Sequence, residues 1–244
     1  MRKLLILLIA LLTIFALVSC KGEPEPAHEH NYDTGTDNGN GKIVYKCIGC
    51  DDTYSVYKTY TVGDAGPAGG LIFYDCDADN ETGNADGLVS SECGWRYLET
   101  TSADLESPYH CFGYYRESDD GTNQTVGTNR EIGTGKSNTE ALVAAMGDEA
   151  YSASKGSAKT ADYAAKICDD YSAGGKDDWF LPSRDELSLM YDNLCQAGLG
   201  GFDWGYISSS ELNEFLILDV NFHSGEKSDS SRNNTPKVRP VRAF

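Results

Sequence analysis

Two groups of residues in this chain have the types and spacing of metal ligands. His28-x-His30 followed by Cys47-x-x-Cys50 offers two imidazoles and two thiols, a set suited to tetrahedral zinc. The competing reading is a Cys47–Cys50 disulfide beside solvated histidines, which an oxidising compartment favours. Further on, Asp75, Asp77, Asp79 and Glu81 place carboxylates on alternate residues, with Asp86 just before Gly87. Oxygens at that spacing suit a hard cation such as calcium. Asn80 stands where the helix-flanked calcium loop has glycine, so a solvated acidic loop is the alternative. Cys76 and Cys93 bracket this loop and can staple it as a disulfide. Cys168 and Cys195 can pair in the same way, with Cys111 as the other partner for either.

The remaining chemistry is aromatic. Tyr114, Trp204 and Tyr206 lie in polar, loop-rich stretches (100–137 and 203–236), where rings can stack on sugars or meet a protein partner; the alternative is that the aromatics of 100–137 cover the edge of the core. Catalytic signals are missing. The four histidines are His28, His30, His110 and His223, and neither Gly-x-Ser-x-Gly nor His-Glu-x-x-His occurs. The adjacent carboxylates Asp185 and Glu186 read as first-turn charges on a helix dipole. No enzymatic activity is expected.

The elements that must position these residues centre on residues 177–198. A short buried strand ends at Pro182. Ser183 with Glu186 forms a capping box, and Leu187, Met190, Tyr191 and Leu194 share one helical face until Gly198. Residues 138–146 read as another helix. A further helix is predicted after a Ser157 cap, with Ala161, Ala164, Ala165, Cys168 and Tyr171 on one face. Strands are predicted at 42–46, 53–60, 71–74, 95–99, 215–222 and 238–244, with 224–235 a polar loop. In the last strand the alternation places the valines and Phe244 inward and the arginines outward. A sulfated polyanion fits the charge of the chain poorly unless Arg232, Lys237, Arg239 and Arg242 form a local basic patch.

The chain has 244 residues and a formal charge of −18. Arg2 and Lys3 followed by the apolar run Leu4 to Val18 read as a signal peptide. Leu17-Val18-Ser19-Cys20 resembles the bacterial lipobox, in which Cys20 is lipidated. Removing residues 1–19 takes away two positive charges and leaves −20. That charge argues against nucleic-acid binding. The organisation expected is a signal peptide (1–19), a lipidated flexible tether (20–41), a small Cys-x-x-Cys strand segment (42–60) and one domain (61–244). The protein is expected in the cell envelope, lipid-anchored at the outer membrane or cell surface.

Five blocks carry a family resemblance: Gly66-Pro67-Ala68-Gly69-Gly70-Leu71-Ile72-Phe73-Tyr74, Gly94-Trp95-Arg96-Tyr97-Leu98-Glu99, Asp178-Trp179-Phe180-Leu181-Pro182-Ser183, Ser208-Ser209-Ser210-Glu211 and Val238-Arg239-Pro240-Val241-Arg242. Together they resemble the Lcl C-terminal-like domains of bacterial surface proteins, over roughly residues 60–244. The resemblance implies an α+β, C-type-lectin-like fold of antiparallel strands with two to three helices and adjacent termini. It also implies a non-catalytic surface module that binds a glycan or a host or matrix protein. The family commonly has tryptophan where this chain has Ile207, so that aromatic's role does not carry over. The alternative function is a structural envelope lipoprotein that assembles with other envelope proteins.

Overall fold

The computed structural model describes residues 29–78, 88–105 and 110–244. Cys20, His28, Asp79, Glu81 and Asp86 lie outside them. The architecture is α+β, and its sheets are all antiparallel. In chain order the elements are β1 (Thr36–Asp37), β2 (Lys42–Lys46), β3 (Thr53–Tyr57), β4 (Leu71–Asp75), α1 (Ser90–Cys93), β5 (Tyr97–Thr100), α2 (Gly135–Met146), β6 (Ala150–Tyr151), β7 (Lys159–Thr160), α3 (Ala164–Asp169), α4 (Arg184–Met190), β8 (Gly205–Glu211), β9 (Leu216–Asn221), β10 (Glu226–Ser231) and β11 (Val241–Ala243). Three sheets have the orders β1-β2-β3, β11-β5-β4 and β10-β9-β8, and β6 and β7 form a ribbon. No helix among the described residues is long and apolar enough to cross a membrane.

The run Leu71-Ile72-Phe73-Tyr74 is apolar throughout because β4 is covered on both faces. Ile72 packs with Tyr97 and Phe244 on one side, while Phe73 joins Leu187, Met190, Leu194 and Val220 on the other. Burying two such faces removes every second residue's excuse for polarity. A separate core gathers Leu142, Tyr163, Ala164, Ala165, Cys168 and Ile207, where the alanines let α3 approach closely. The capping box at α4 is fully formed. The Ser183 hydroxyl accepts from the Glu186 N–H, and Glu186 Oε2 accepts from the Ser183 N–H at 2.7 Å. The helix then loosens into a π-helical turn, Tyr191–Cys195, before Gly198 turns the chain at φ +71°.

Several expectations need correction. The flexible tether ends early: Tyr32 bridges Cys47, and β1 pairs with β2, so residues 31–41 are built into the first sheet. Asx turns at Asp33 and Asp37 (each side chain accepting from the N–H two residues on) supply the order that an apolar pattern did not advertise. Ser157 caps no helix. It precedes β7, and α3 begins after Tyr163. The polar stretch 224–235 contains β10, a solvent-facing edge strand paired along its length with β9. Polar composition hid it, because only one face needs to be apolar and here neither is deeply buried.

The largest correction concerns the terminal strand. Arg239 and Arg242 are buried, as is Arg232, which leaves Lys237 as the exposed member of the four residues that a basic patch for a sulfated ligand would need. Arg242 forms a bidentate pair with Asp178 (2.8 and 2.9 Å), reaches Glu99 at 3.2 Å and donates to the Asn40 side-chain oxygen at 3.0 Å. Arg239 pairs with Asp104 at 2.7 Å and donates to the Thr101 and Gly200 carbonyls. Arg232 pairs with Glu211 at 2.7 Å. The expected alternation fails as well: β11 is only Val241–Ala243, Val238, Val241 and Phe244 lie in three different core clusters, and Arg242 shares the face of Phe244, its guanidinium 5.0 Å from that ring's centre. Planar guanidinium groups with several fixed donors are suited to such buried pairing.

Glu99 explains the glycine block before β4. Its carboxylate accepts from the Ala68 and Gly70 N–H groups. A Cβ at Gly70 would sit 2.0 Å from the Thr100 carbonyl oxygen, and one at Gly66 would sit 2.3 Å from the Glu99 carboxyl carbon. Burial pushes the Glu99 carboxyl up, against the pull of the Gly70 N–H and of Arg242. Four of the five resemblance blocks therefore meet around Arg242. They hold the fold together, which leaves the contact surface to be sought elsewhere.

Candidate functional site

Of the three aromatics singled out for binding, the structure leaves one at the surface. Tyr114 is buried. Its backbone pairs with Tyr151, and its hydroxyl meets the Ser231 side chain at 3.2 Å. Tyr206 is buried as well. Its hydroxyl donates to Asp104 at 2.9 Å and accepts from the Asp203 N–H, and burial pushes its pKa up to about 12. Both are scaffold residues. Trp204 is 67% exposed.

The register of β8 against β9 sets Trp204 in place. Gly205 is opposite Asn221, so Trp204, just before β8, meets the chain leaving β9 at Phe222 and His223. The Phe222 N–H donates to the Trp204 carbonyl at 2.6 Å, and the Trp204 ring stacks on His223 with centroids 5.3 Å apart and planes at 27°. Phe222 fixes the strand end from below by packing on Tyr206 and Phe202. Beside Trp204 lies an open cleft of about 300 Å³, lined by Asp219, Asn221, Ser228, Thr235 and Lys237 among others. Ser228 donates to Asp219 across β9–β10. Lys237 is held by Asp203 at 2.9 Å and Asp104 at 3.1 Å. An exposed ring with hydroxyl, amide and carboxylate groups along its edge can stack on the apolar face of a sugar and bond its hydroxyls. Asp219 and Ser228 were not singled out in the sequence, and His223 was met there only as one of four histidines, because strand register and a β10 that reads as loop bring them to Trp204.

A second cleft of about 470 Å³ opens beside Trp95, Gly133, Lys136, Glu140 and Phe180, with Glu186 at its inner wall. Glu186 is wholly buried. Besides capping α4, it accepts from the Gly133 N–H at 2.9 Å and from Gly135 at 3.4 Å. Burial pushes its carboxyl up to about 7, against the pull of the Ser183, Gly133 and Gly135 N–H groups. Each of these contacts fastens a loop, so the residue is structural.

Of the calcium set, Asp75 and Asp77 are described, and both face Arg96. Asp75 is the bidentate partner of Arg96 at 2.8 and 2.9 Å. Asp77 accepts from the Ser90 N–H at 2.7 Å and from its hydroxyl at 2.5 Å. A cation at either carboxylate would therefore share it with these donors, and at Asp75 it would meet the positive charge of Arg96. The disulfide expectations fare similarly. Cys168 is enclosed in the core of α2 and α3, whereas Cys195 packs in the other core and its thiol reaches the Phe222 carbonyl at 3.4 Å, so those two do not pair. The Cys76 thiol reaches the Trp95 carbonyl at 3.4 Å, and burial pushes its pKa up to about 12. No bridge joins it to Cys93.

The N-terminal ligands do come together. His30, Cys47 and Cys50 place one ligand atom each within 4.8 Å of the others.

No protein-family model matches the chain, and no curated protein matches it. Among solved structures it is similar to a fimbrial protein from Bacteroides ovatus ATCC 8483, with 13% identity and a TM-score of 0.45 over 83% of this chain. The chain spans 57% of that protein's length.

Proposed function

We propose that this protein is a non-catalytic ligand-binding module of the bacterial cell surface, anchored through a lipidated Cys20, and that its ligand is a glycan held against Trp204. The exposed tryptophan carries this reading. A large ring left 67% in water, stacked on His223 and bordering a polar cleft, has no packing role to account for it. The reading includes the C-type-lectin-like fold that the resemblance to the Lcl C-terminal-like domains implies. In its support, the C-terminal strand β11 lies in the same sheet as β4, the first strand of the main domain.

The test is a glycan-array and matrix-protein screen of residues 22–244, with calcium and with chelator, beside a Trp204→Ala variant. The expected result is saccharide binding that disappears in the variant and is unchanged by chelator, since Asp75 and Asp77 are already engaged. Binding to a matrix protein alone would replace the ligand class. Absence of any binding, with envelope proteins co-purifying instead, would refute the module as a receptor and favour the assembly role.

A further inference from the structure

The N-terminal sheet holds a site that the glycan-binding reading does not use. Cys47 follows β2 directly, and Ile48-Gly49 form the tip of the turn into β3, with the Ile48 side chain 71% exposed. The segment before β1 is drawn onto this turn by the backbone. The Ile48 N–H donates to the Asn31 carbonyl at 2.8 Å, the Asp33 N–H donates to Lys46, and Tyr32 bridges Cys47. This pairing sets His30 over the Cys-x-x-Cys turn, with its Nδ1 3.5 Å from the Cys50 sulfur. His30 is steadied from behind, stacked on Tyr32 at 5.8 Å, while the Tyr32 hydroxyl donates to Asp52 and Asp52 lies 3.6 Å from His30 Nδ1.

Zinc binds sulfur at about 2.3 Å and imidazole nitrogen at about 2.0–2.1 Å. Two such ligands on one tetrahedral ion are therefore about 3.5 Å apart, the separation found between Cys50 and His30. We propose that His30, Cys47 and Cys50 bind one zinc-type ion, which clips the segment preceding β1 to the β2–β3 turn. On binding, the two thiols release their protons to solvent, and the two thiolates neutralise the ion's two positive charges. The sequence offers His28 as the fourth donor. The clip has a mechanical sense. The same sheet is fixed to the main domain by the Asn40–Arg242 hydrogen bond and by Gly41, whose Cα lies so near the Phe244 ring that a Cβ would meet it at 2.3 Å. The ion closes the other end, where the chain arrives from its anchor.

The experiment titrates Co²⁺, then Zn²⁺, into the reduced chain from residue 22 onward. The expected result is one equivalent of Co²⁺ with thiolate-to-metal charge-transfer absorption and the intense visible bands of tetrahedral coordination, displaced by Zn²⁺. Cys50→Ser and Cys47→Ser diminish the charge-transfer absorption. His30→Ala keeps it but weakens binding by at least about tenfold, the lower end of what even outer-shell losses cost a metal site. Glycan binding at Trp204 is unchanged in all three variants, so this outcome is independent of the ligand screen. The proposal is overturned by reduced, thiol-titrated protein that takes up no stoichiometric Co²⁺. It is equally overturned by protein isolated from its own envelope that carries a Cys47–Cys50 disulfide and no zinc.

Discussion

Replacing Arg242 by Met tests the central claim about this fold, that a buried ion network and not a surface patch closes the C-terminal strand. The substitution removes the two bonds to Asp178, the contact with Glu99 and the bond to Asn40. Asp178 is partly exposed and can rehydrate, so its loss is modest. Glu99 is not. It is wholly buried, and after the change it retains the Ala68 and Gly70 N–H donors but no longer faces the cation. Breaking a buried pair from one side costs about 3–5 kcal/mol. For a domain of this size that is roughly 6–20 °C in Tm. The effect has a pH signature. Burial raises the Glu99 pKa, so protonation stabilises the folded state, and this contribution fades as pH climbs above the ordinary glutamate range. Without the arginine the fading is steeper, and the gap between variant and wild type widens from pH 5 to pH 8. Thermal and urea unfolding of both proteins across that range measures it. The double variant Glu99→Gln/Arg242→Met recovers most of the loss, because it removes the stranded charge. An Arg242→Met protein within about 1 kcal/mol of wild type at pH 8, or a gap that does not change with pH, would refute the argument.

Glycine 70 acts on the same network from the other side. Gly70→Ala pushes a Cβ into the Thr100 carbonyl and costs roughly 1–3 kcal/mol by urea unfolding, less than additively with Arg242→Met because both disturb Glu99. Glu186, with its carboxyl pushed up to about 7, stabilises the fold fully below the unfolded glutamate pKa of about 4.3 and loses that contribution as pH rises to about 7. Thermal melts of Glu186→Gln therefore lose this part of the pH dependence, and a variant whose Tm tracks wild type at every pH contradicts the assignment. Trp204→Ala changes stability by no more than about 0.5 kcal/mol, as exposed positions do, while abolishing saccharide binding on the array. A large stability loss would show that the ring has a packing role after all.

The sequence was most informative where physics is local. The capping box at Ser183 and Glu186, the helix face of Leu187 and Met190, and the glycine stop at Gly198 depend on neighbours within a turn or two, and all three stand in the structure. It was least informative where a partner arrives from far along the chain. Arg242 meets Glu99, 143 residues away, and Asp178, 64 residues away. The pattern of the last strand told neither that Arg242 shares a face with Phe244 nor that this face is covered. Tyr206 was misread for the same reason, since an aromatic in a polar stretch looks exposed until Asp104 and Phe222 close over it. Trp204 differs from Tyr206 by two residues and by one strand end, a distinction set by the β8–β9 register, which no local signal carries.

The buried arginines also bear on what the cleft can hold. A chain with 38 acidic and 20 basic residues has few cations to spare, and Arg232, Arg239 and Arg242 are enclosed in carboxylate and carbonyl contacts. Lys237, the one basic side chain lining the cleft beside Trp204, is already shared between Asp104 and Asp203. A sulfated or phosphorylated ligand arriving there would meet Asp219 and the wider negative field without an unengaged cation to receive it, and bringing like charges together on a desolvated surface costs several kcal/mol. A neutral saccharide meets no such opposition: its ring face lies on Trp204, and its hydroxyls find the oxygens of Asp219 and Ser228 and the amide of Asn221. On the array, neutral glycans should therefore outrank their sulfated counterparts, and raising the salt concentration should narrow that preference by screening the repulsion. A preference for sulfated ligands that weakens with salt would place the contact surface elsewhere on the molecule.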